Sequence, residues 1–108
     1  MADFRYSPRS FTLDPLDFGK RADIRWRSTE EFDDREVDQL VASRFQHQCA
    51  VEVRARIAQR YPSLSEFADL AGLKYERLAR VLRGEVIMRL EDVAMAQRLL
   101  GFQGLARW

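Results

Sequence analysis

Residues 64–84 read LSEFADLAGLKYERLARVLRG, and the spacing of their apolar residues predicts two short helices joined by a tight turn. The first opens after Ser63 or Ser65, either of which can cap it, and Ser63 with Glu66 has the spacing of a capping box. It runs through Leu70 or Ala71 and is closed by Gly72. Two helices that cross at short range need a small side chain at the crossing, and Ala68 supplies one. Four residues later Gly72 tolerates the left-handed backbone that the turn demands. The second helix, residues 74–82, is expected to bury Leu73, Leu78, Val81 and Leu82, with Phe67, Leu70 and Ala71 facing them from the first. Gly84 closes it.

Working outward, Pro62 stops whatever precedes the first helix, because it lacks an amide proton and its ring clashes with the preceding turn. Asp33 or Asp34 can cap a helix that starts near Arg35 and meets no Pro or Gly before Tyr61. Val37, Leu40, Val41 and Phe45 recur at helical spacing, and Ala50, Val53, Ile57 and Ala58 continue it after a phase change around residues 46–49. One long helix and two helices with a bend both fit. On the other side, residues 85–89 form a linker, residues 90–100 a further helix, and Gly101 its stop. The apolar tail residues Phe102, Leu105 and Trp108 are expected to pack back on the body or to cover a partner.

Residues 1–34 have a different texture. Pro8, Pro15 and Gly19 break any long helix, yet Phe4, Tyr6, Phe11, Phe18, Ile24 and Trp26 make the segment too aromatic for a plain disordered tail. Residues 22–27 alternate with period two, a weak strand signal. The expectation is an extended arm, with or without short strands, laid on the helical body of residues 35–108 or on a second subunit. The fold class is therefore all-α, a bundle of four or five helices with an N-terminal arm.

The bulk properties set limits. A chain of 108 residues with 46% apolar and 32% charged residues suits one folded domain. No apolar run is long enough to span a membrane, and the N-terminus has no apolar core of a signal peptide. A single cysteine, Cys49, fits a reducing cytoplasm, and its place in a helical run reads as a small core residue. His47 is the one histidine, too few ligands for zinc, and no nucleophile, base and orienting acid form a set. The expectation is a protein that is not an enzyme and needs no metal or cofactor. Net charge is only +1, but it is unevenly spread: residues 1–40 hold 7 Lys/Arg and 10 Asp/Glu. Lys74, Arg77, Arg80 and Arg83 stand against Glu76 alone, which is either an anion-binding face or a solvated helix face.

The window resembles the Cro/C1-type helix-turn-helix family of phage repressors and related bacterial regulators. The family pattern has Ala in the fifth position, Gly in the ninth, and apolar residues in the fourth, eighth, tenth, fifteenth and eighteenth. Counted from Leu64, these fall on Ala68, Gly72, Phe67, Ala71, Leu73, Leu78 and Val81. Arg83-Gly84 and Leu100-Gly101 match the family's later landmarks, so the resemblance covers about residues 49–101. Two features depart from it. Ser65 and Glu66 stand where the family often has a phosphate-gripping Gln, and 48 residues precede the domain.

The resemblance implies a double-stranded DNA-binding transcriptional regulator with a recognition helix, residues 74–82, in the major groove. It implies base-edge roles for Arg80, Glu76 and Ala79, with Arg80 placed for guanine, Glu76 for cytosine or for orienting Arg80, and Ala79 for a thymine methyl. Tyr75 would meet sugar or phosphate. Lys74, Arg77, Arg83 and Arg89 would contact phosphates, joined by Ser65 at the first helix terminus. A homodimer on a palindromic operator is expected, because one recognition helix reads few base pairs. Two alternatives share the scaffold: an antitoxin-like protein that binds a toxin through the aromatic arm, and a protein-interaction module without DNA affinity.

Overall fold

A computed structural model describes residues 5–101. Four α-helices follow two short 3-10 turns, at Pro8–Phe11 and Pro15–Asp17. The helices are α1 (Asp34–Arg60), α2 (Leu64–Ala71), α3 (Tyr75–Leu82) and α4 (Leu90–Leu100). The chain is all-α, and among the described residues no helix is long and apolar enough to cross a membrane. The tail residues Phe102, Leu105 and Trp108, and Phe4 of the arm, lie outside the described residues.

Helix α1 is continuous over 27 residues, about 40 Å long. Its start is fixed by a capping box: the Glu36 amide donates to Asp33 Oδ1 at 2.8 Å, and the Asp33 amide to Glu36 Oε1 at 3.3 Å. The apparent phase change is not a bend. Leu40, Ser43, His47, Ala50, Val53 and Ile57 form one buried stripe, and polar residues fill its middle. Val41 and Phe45, expected inside by their hydropathy, are exposed at 58% and 41%. The polar members are buried because each has partners. Ser43 Oγ donates to the Gln39 carbonyl at 2.7 Å. His47 Nδ1 accepts from the Gly19 amide at 2.9 Å, so Nε2 carries the proton and donates to the Ala22 carbonyl at 3.1 Å.

The expected pair of short helices is present as α2 and α3. Ser63 Oγ accepts from the Glu66 amide at 3.1 Å, which makes Ser63 the cap and leaves Ser65 exposed in the first turn. Ala68 is 1% exposed at the crossing, and Gly72 ends α2 with φ +71°. The buried stripe of α3 is Leu78, Ala79, Val81 and Leu82. Phe67 joins it from α2, where full burial of such a ring contributes about 2–3 kcal/mol. Leu70 does not join: it is 75% exposed on the outer side of α2.

The arm lies on its own subunit. Phe18, 1% exposed, belongs to the same core as Ala50, Phe67 and Leu82. It meets Trp26 and His47 edge-on at ring separations of 6.4 and 5.2 Å. The strand signal over residues 22–27 yields only an isolated antiparallel bridge between Thr12 and Trp26. Two amides support it, Leu13 to the Arg25 carbonyl and Arg27 to the Phe11 carbonyl, at 2.9 and 3.0 Å. The 3-10 turns on either side of Thr12 leave no room for a longer ladder. Arg25 and Asp14 close the loop between the bridged segments, and the Arg25 side chain and amide hold the Asp14 carboxyl down at about 2.

The far end of α3 is where arm and body meet. The Arg9 amide and Ser7 Oγ both donate to the Gly84 carbonyl, at 2.9 and 3.0 Å. Gly84 has φ +73°, and a Cβ there would stand 2.6 Å from the Phe18 ring. From α1, Gln46 Nε2 donates to the Val81 and Val86 carbonyls at 2.9 Å each, and its Oε1 accepts from the Met88 amide at 2.8 Å. One buried side chain thus ties the last turn of α3 to the loop that follows.

Candidate functional site

An α-helix turns 100° per residue, so burying Leu78, Ala79, Val81 and Leu82 turns Glu76 and Arg80 outward, and both are exposed. Tyr75, at the start of α3, is 43% exposed. Lys74 precedes the helix and is exposed, as is Arg89 before α4. Among the described residues no ion pair engages Lys74, Arg80 or Arg89.

Three of the expected contact residues are placed differently. Ala79 is 3% exposed and belongs to the packed face, next to Leu78 and one turn from Leu82, so it cannot reach a base edge. Arg77 is committed to Asp92 of α4 in a two-pronged pair of 2.6 and 2.9 Å. The Arg89 amide adds a third bond to the same carboxylate at 2.8 Å. Burial alone would raise the Asp92 carboxyl, but the Arg77 side chain and the Arg89 amide outweigh it and hold the group below its ordinary value. Arg77 is therefore a brace between α3 and α4. Arg83 shares its charge with Glu85, Nε to Oε2 at 2.5 Å. Both pairs place a carboxylate where a phosphate contact was expected; the partner of Arg77 lies 15 residues away, outside any local reading of charge, whereas that of Arg83 lies only 2 away.

Lys74, Arg80 and Arg89, together with the braced Arg77, line one open groove of about 830 Å³. It is lined also by Glu76, by residues 85–87, and by Arg5 and Tyr6 of the arm. Arg5 and Tyr6 escaped the sequence reading, since nothing local to residues 5–6 tells that the arm reaches α3. Tyr6 is half-buried, and burial pushes its hydroxyl up against the opposing hydrogen bond from Ser43. Ser65 lies outside this lining.

A second, smaller groove of about 190 Å³ runs between α1 and the start of α4, with Phe45, Ile87 and Leu90 among its lining and exposed. Cys49 at its base is buried, which pushes the thiol up to about 11 and removes the reactive thiolate at neutral pH. Both nitrogens of His47 are already hydrogen-bonded to backbone.

No family model matches the chain, and no curated protein or solved structure is significantly similar to it.

Proposed function

We propose that the chain is a sequence-specific double-stranded DNA-binding regulator of the Cro/C1-like helix-turn-helix type, with α3 as its recognition helix. The observation that carries this reading is the two-sidedness of α3. Its inner face is sealed into the core, and its outer face presents Glu76 and Arg80, uncovered, beside a groove rich in cations. Arg80 reads a guanine edge, with Glu76 one turn earlier to orient it or to accept from cytosine. Tyr75 meets the backbone, and Lys74 and Arg89 neutralise phosphates.

Two copies on a palindromic operator complete the proposal, since one eight-residue helix discriminates weakly among genomic sites. The arm's Phe11, Phe18 and Trp26 do not provide the pairing surface, being packed on their own subunit. The antitoxin-like alternative loses the same aromatic surface for a toxin. Uncovered apolar side chains include Val41, Phe45, Ile87 and Leu90, of which Phe45, Ile87 and Leu90 share the smaller groove, while Leu13, Leu16 and Leu70 are exposed outside it. Phe45→Glu in a sedimentation-equilibrium series tests pairing: a dimer lost with Phe45→Glu supports it, and a monomer of 12.7 kDa throughout removes it.

Selection of bound duplexes from a random pool, followed by titration over a range of salt, tests the main reading. The expected result is a recovered operator and affinity that falls steeply with salt. Arg80→Ala is expected to cost about 1–3 kcal/mol on the operator and to relax selection at one or two base pairs. Equal weakening on operator and random DNA would reassign Arg80 to a phosphate. No binding to any duplex at low salt would defeat the reading.

A further inference from the structure

The acidic end of the chain sends one cation to the cationic groove. Residues 1–40 hold 7 Lys/Arg and 10 Asp/Glu, and several of these cations serve the arm itself. Arg21 pairs with Asp17, Arg25 with Asp14, and the Arg27 guanidinium lies over the Phe32 ring at 5.0 Å. Arg5 is placed elsewhere. It is exposed and lines the groove with Lys74, Arg77, Arg80 and Arg89, and the carboxylates of that lining are Glu76 and Glu85. The lining therefore keeps a positive excess to which the arm contributes.

The backbone around Arg5 is held to the body. Two residues on, Ser7 Oγ donates to the Gly84 carbonyl at 3.0 Å, and the Arg9 amide donates to the same oxygen at 2.9 Å. Between Arg5 and this double anchor, Tyr6 is half-buried and meets Phe11 edge-on at a ring separation of 5.8 Å. Pro8 is buried as well, and its ring fixes one backbone angle. A two-residue link spans at most about 7 Å, so the Arg5 backbone stays close to the residue that ends the turn out of α3. The hydrogen bonds and the lining of the groove are separate observations, and both bring Arg5 to the same flank of α3.

We infer that Arg5 holds a backbone phosphate of the DNA whose bases meet α3, so that the arm is part of the interface. This rests on the DNA-binding reading and adds to it a contact from outside the helix-turn-helix. A phosphate is the partner because Arg5 approaches from the flank shared with Arg89, whereas base edges are reached from the outer face of the helix that carries Glu76 and Arg80.

The test uses the full chain, the selected operator and a random duplex, titrated by fluorescence anisotropy over a range of KCl concentrations. Arg5→Gln is expected to weaken both duplexes by the same factor, roughly eightfold at 0.1 M KCl, and to reduce the slope of log affinity against log salt by about 0.9. Arg5→Lys is expected to restore the slope. Arg21→Gln makes the same change of net charge outside the groove and is expected to leave the slope unaltered. If the unaltered protein binds DNA and Arg5→Gln leaves slope and affinity unchanged, the inference is overturned while the DNA reading stands. An equal loss of slope in Arg21→Gln overturns it too, because the effect then belongs to net charge. Weakening on the operator alone, with the slope kept, makes Arg5 a base contact and overturns the phosphate assignment. If Arg5→Gln lowers the melting temperature and Arg5→Lys does not restore the slope, Arg5 is a structural residue and the inference falls. Absence of binding by the unaltered protein defeats both readings together.

Discussion

The two turns that bound α3 both use a glycine with positive φ, yet they are built in opposite ways. At the turn into the helix, a Cβ on Gly72 would meet nothing within 4 Å. Only the backbone conformation asks for glycine there, and the hydrogen bonds are local, from the Gly72 amide to Asp69 and from the Leu73 amide to Ala68. At the turn out, Gly84 is covered by the Phe18 ring, its carbonyl is held by Ser7 and Arg9, and Gln46 binds the carbonyls around it. One turn is made by its own sequence, and the other by residues drawn from the arm and α1. Helix α3, anchored in this way, is fixed at its end and open at its beginning, where Tyr75, Glu76 and the groove lie.

The largest expected effect tests the covered turn. Gly84→Ala combines left-handed strain with overlap on Phe18 and should destabilise the protein by roughly 2–5 kcal/mol in urea denaturation. Combining it with Phe18→Ala should give less than the sum of the two, because the overlap disappears. Additivity would show that Phe18 does not seal this turn. Next, Gln46→Leu keeps the volume but leaves the part-buried Val86 carbonyl and Met88 amide without this partner, while the Val81 carbonyl keeps the Gly84 amide, a loss of roughly 1–3 kcal/mol. If it costs no more than a surface change, the loop after α3 is held by something other than Gln46.

Gly72→Ala should be milder, about 1–2 kcal/mol, since strain is unaccompanied by any clash. A cost equal to that of Gly84→Ala would erase the distinction between the turns. The smallest effect concerns the brace on the open side. The Arg77 side chain is 38% exposed, so solvent screening limits Asp92→Asn to no more than about 1 kcal/mol. Its pH dependence has a definite sign. The folded Asp92 carboxyl lies below the ordinary 3.8, so the stabilisation is complete above that value. It is lost as the pH falls through the folded value. The stability gap between the unaltered protein and Asp92→Asn should be constant at neutral pH and close only on the acid side of 3.8. A gap that closes at higher pH would show that Arg77 does not hold Asp92 charged.

What could be read from the sequence follows the same division. The caps at Asp33 and Ser63, the crossing at Ala68 and the turn at Gly72 act within a few residues of themselves, so local pattern exposes them. The stripe of α1 is not local in this sense: hydropathy assigns Val41 and Phe45 inward, yet both are exposed, while Ser43, Gln46 and His47 are buried. Burial of those polar residues depends on carbonyls and amides that other segments bring to them. The site divides similarly. The outward position of Glu76 and Arg80 follows from helical periodicity. The pairing of Arg77 with Asp92, the burial of Ala79 and the arrival of Arg5 and Tyr6 beside α3 depend on packing between elements.

The bond from Ser7 to the Gly84 carbonyl spans 77 positions of the chain, and that separation orders events in time. During synthesis the arm leaves the ribosome first and has no dock until α3 and the residue after it have followed. Phe18 must wait for the helix it covers, exposing an aromatic ring in the interval. Closing so long a loop also places arm docking among the slow, late steps of folding, after the short-range contacts of α2 and α3. A ribosome-bound chain halted before residue 84 should therefore hold its helices without the arm, and there protease cuts the arm most readily.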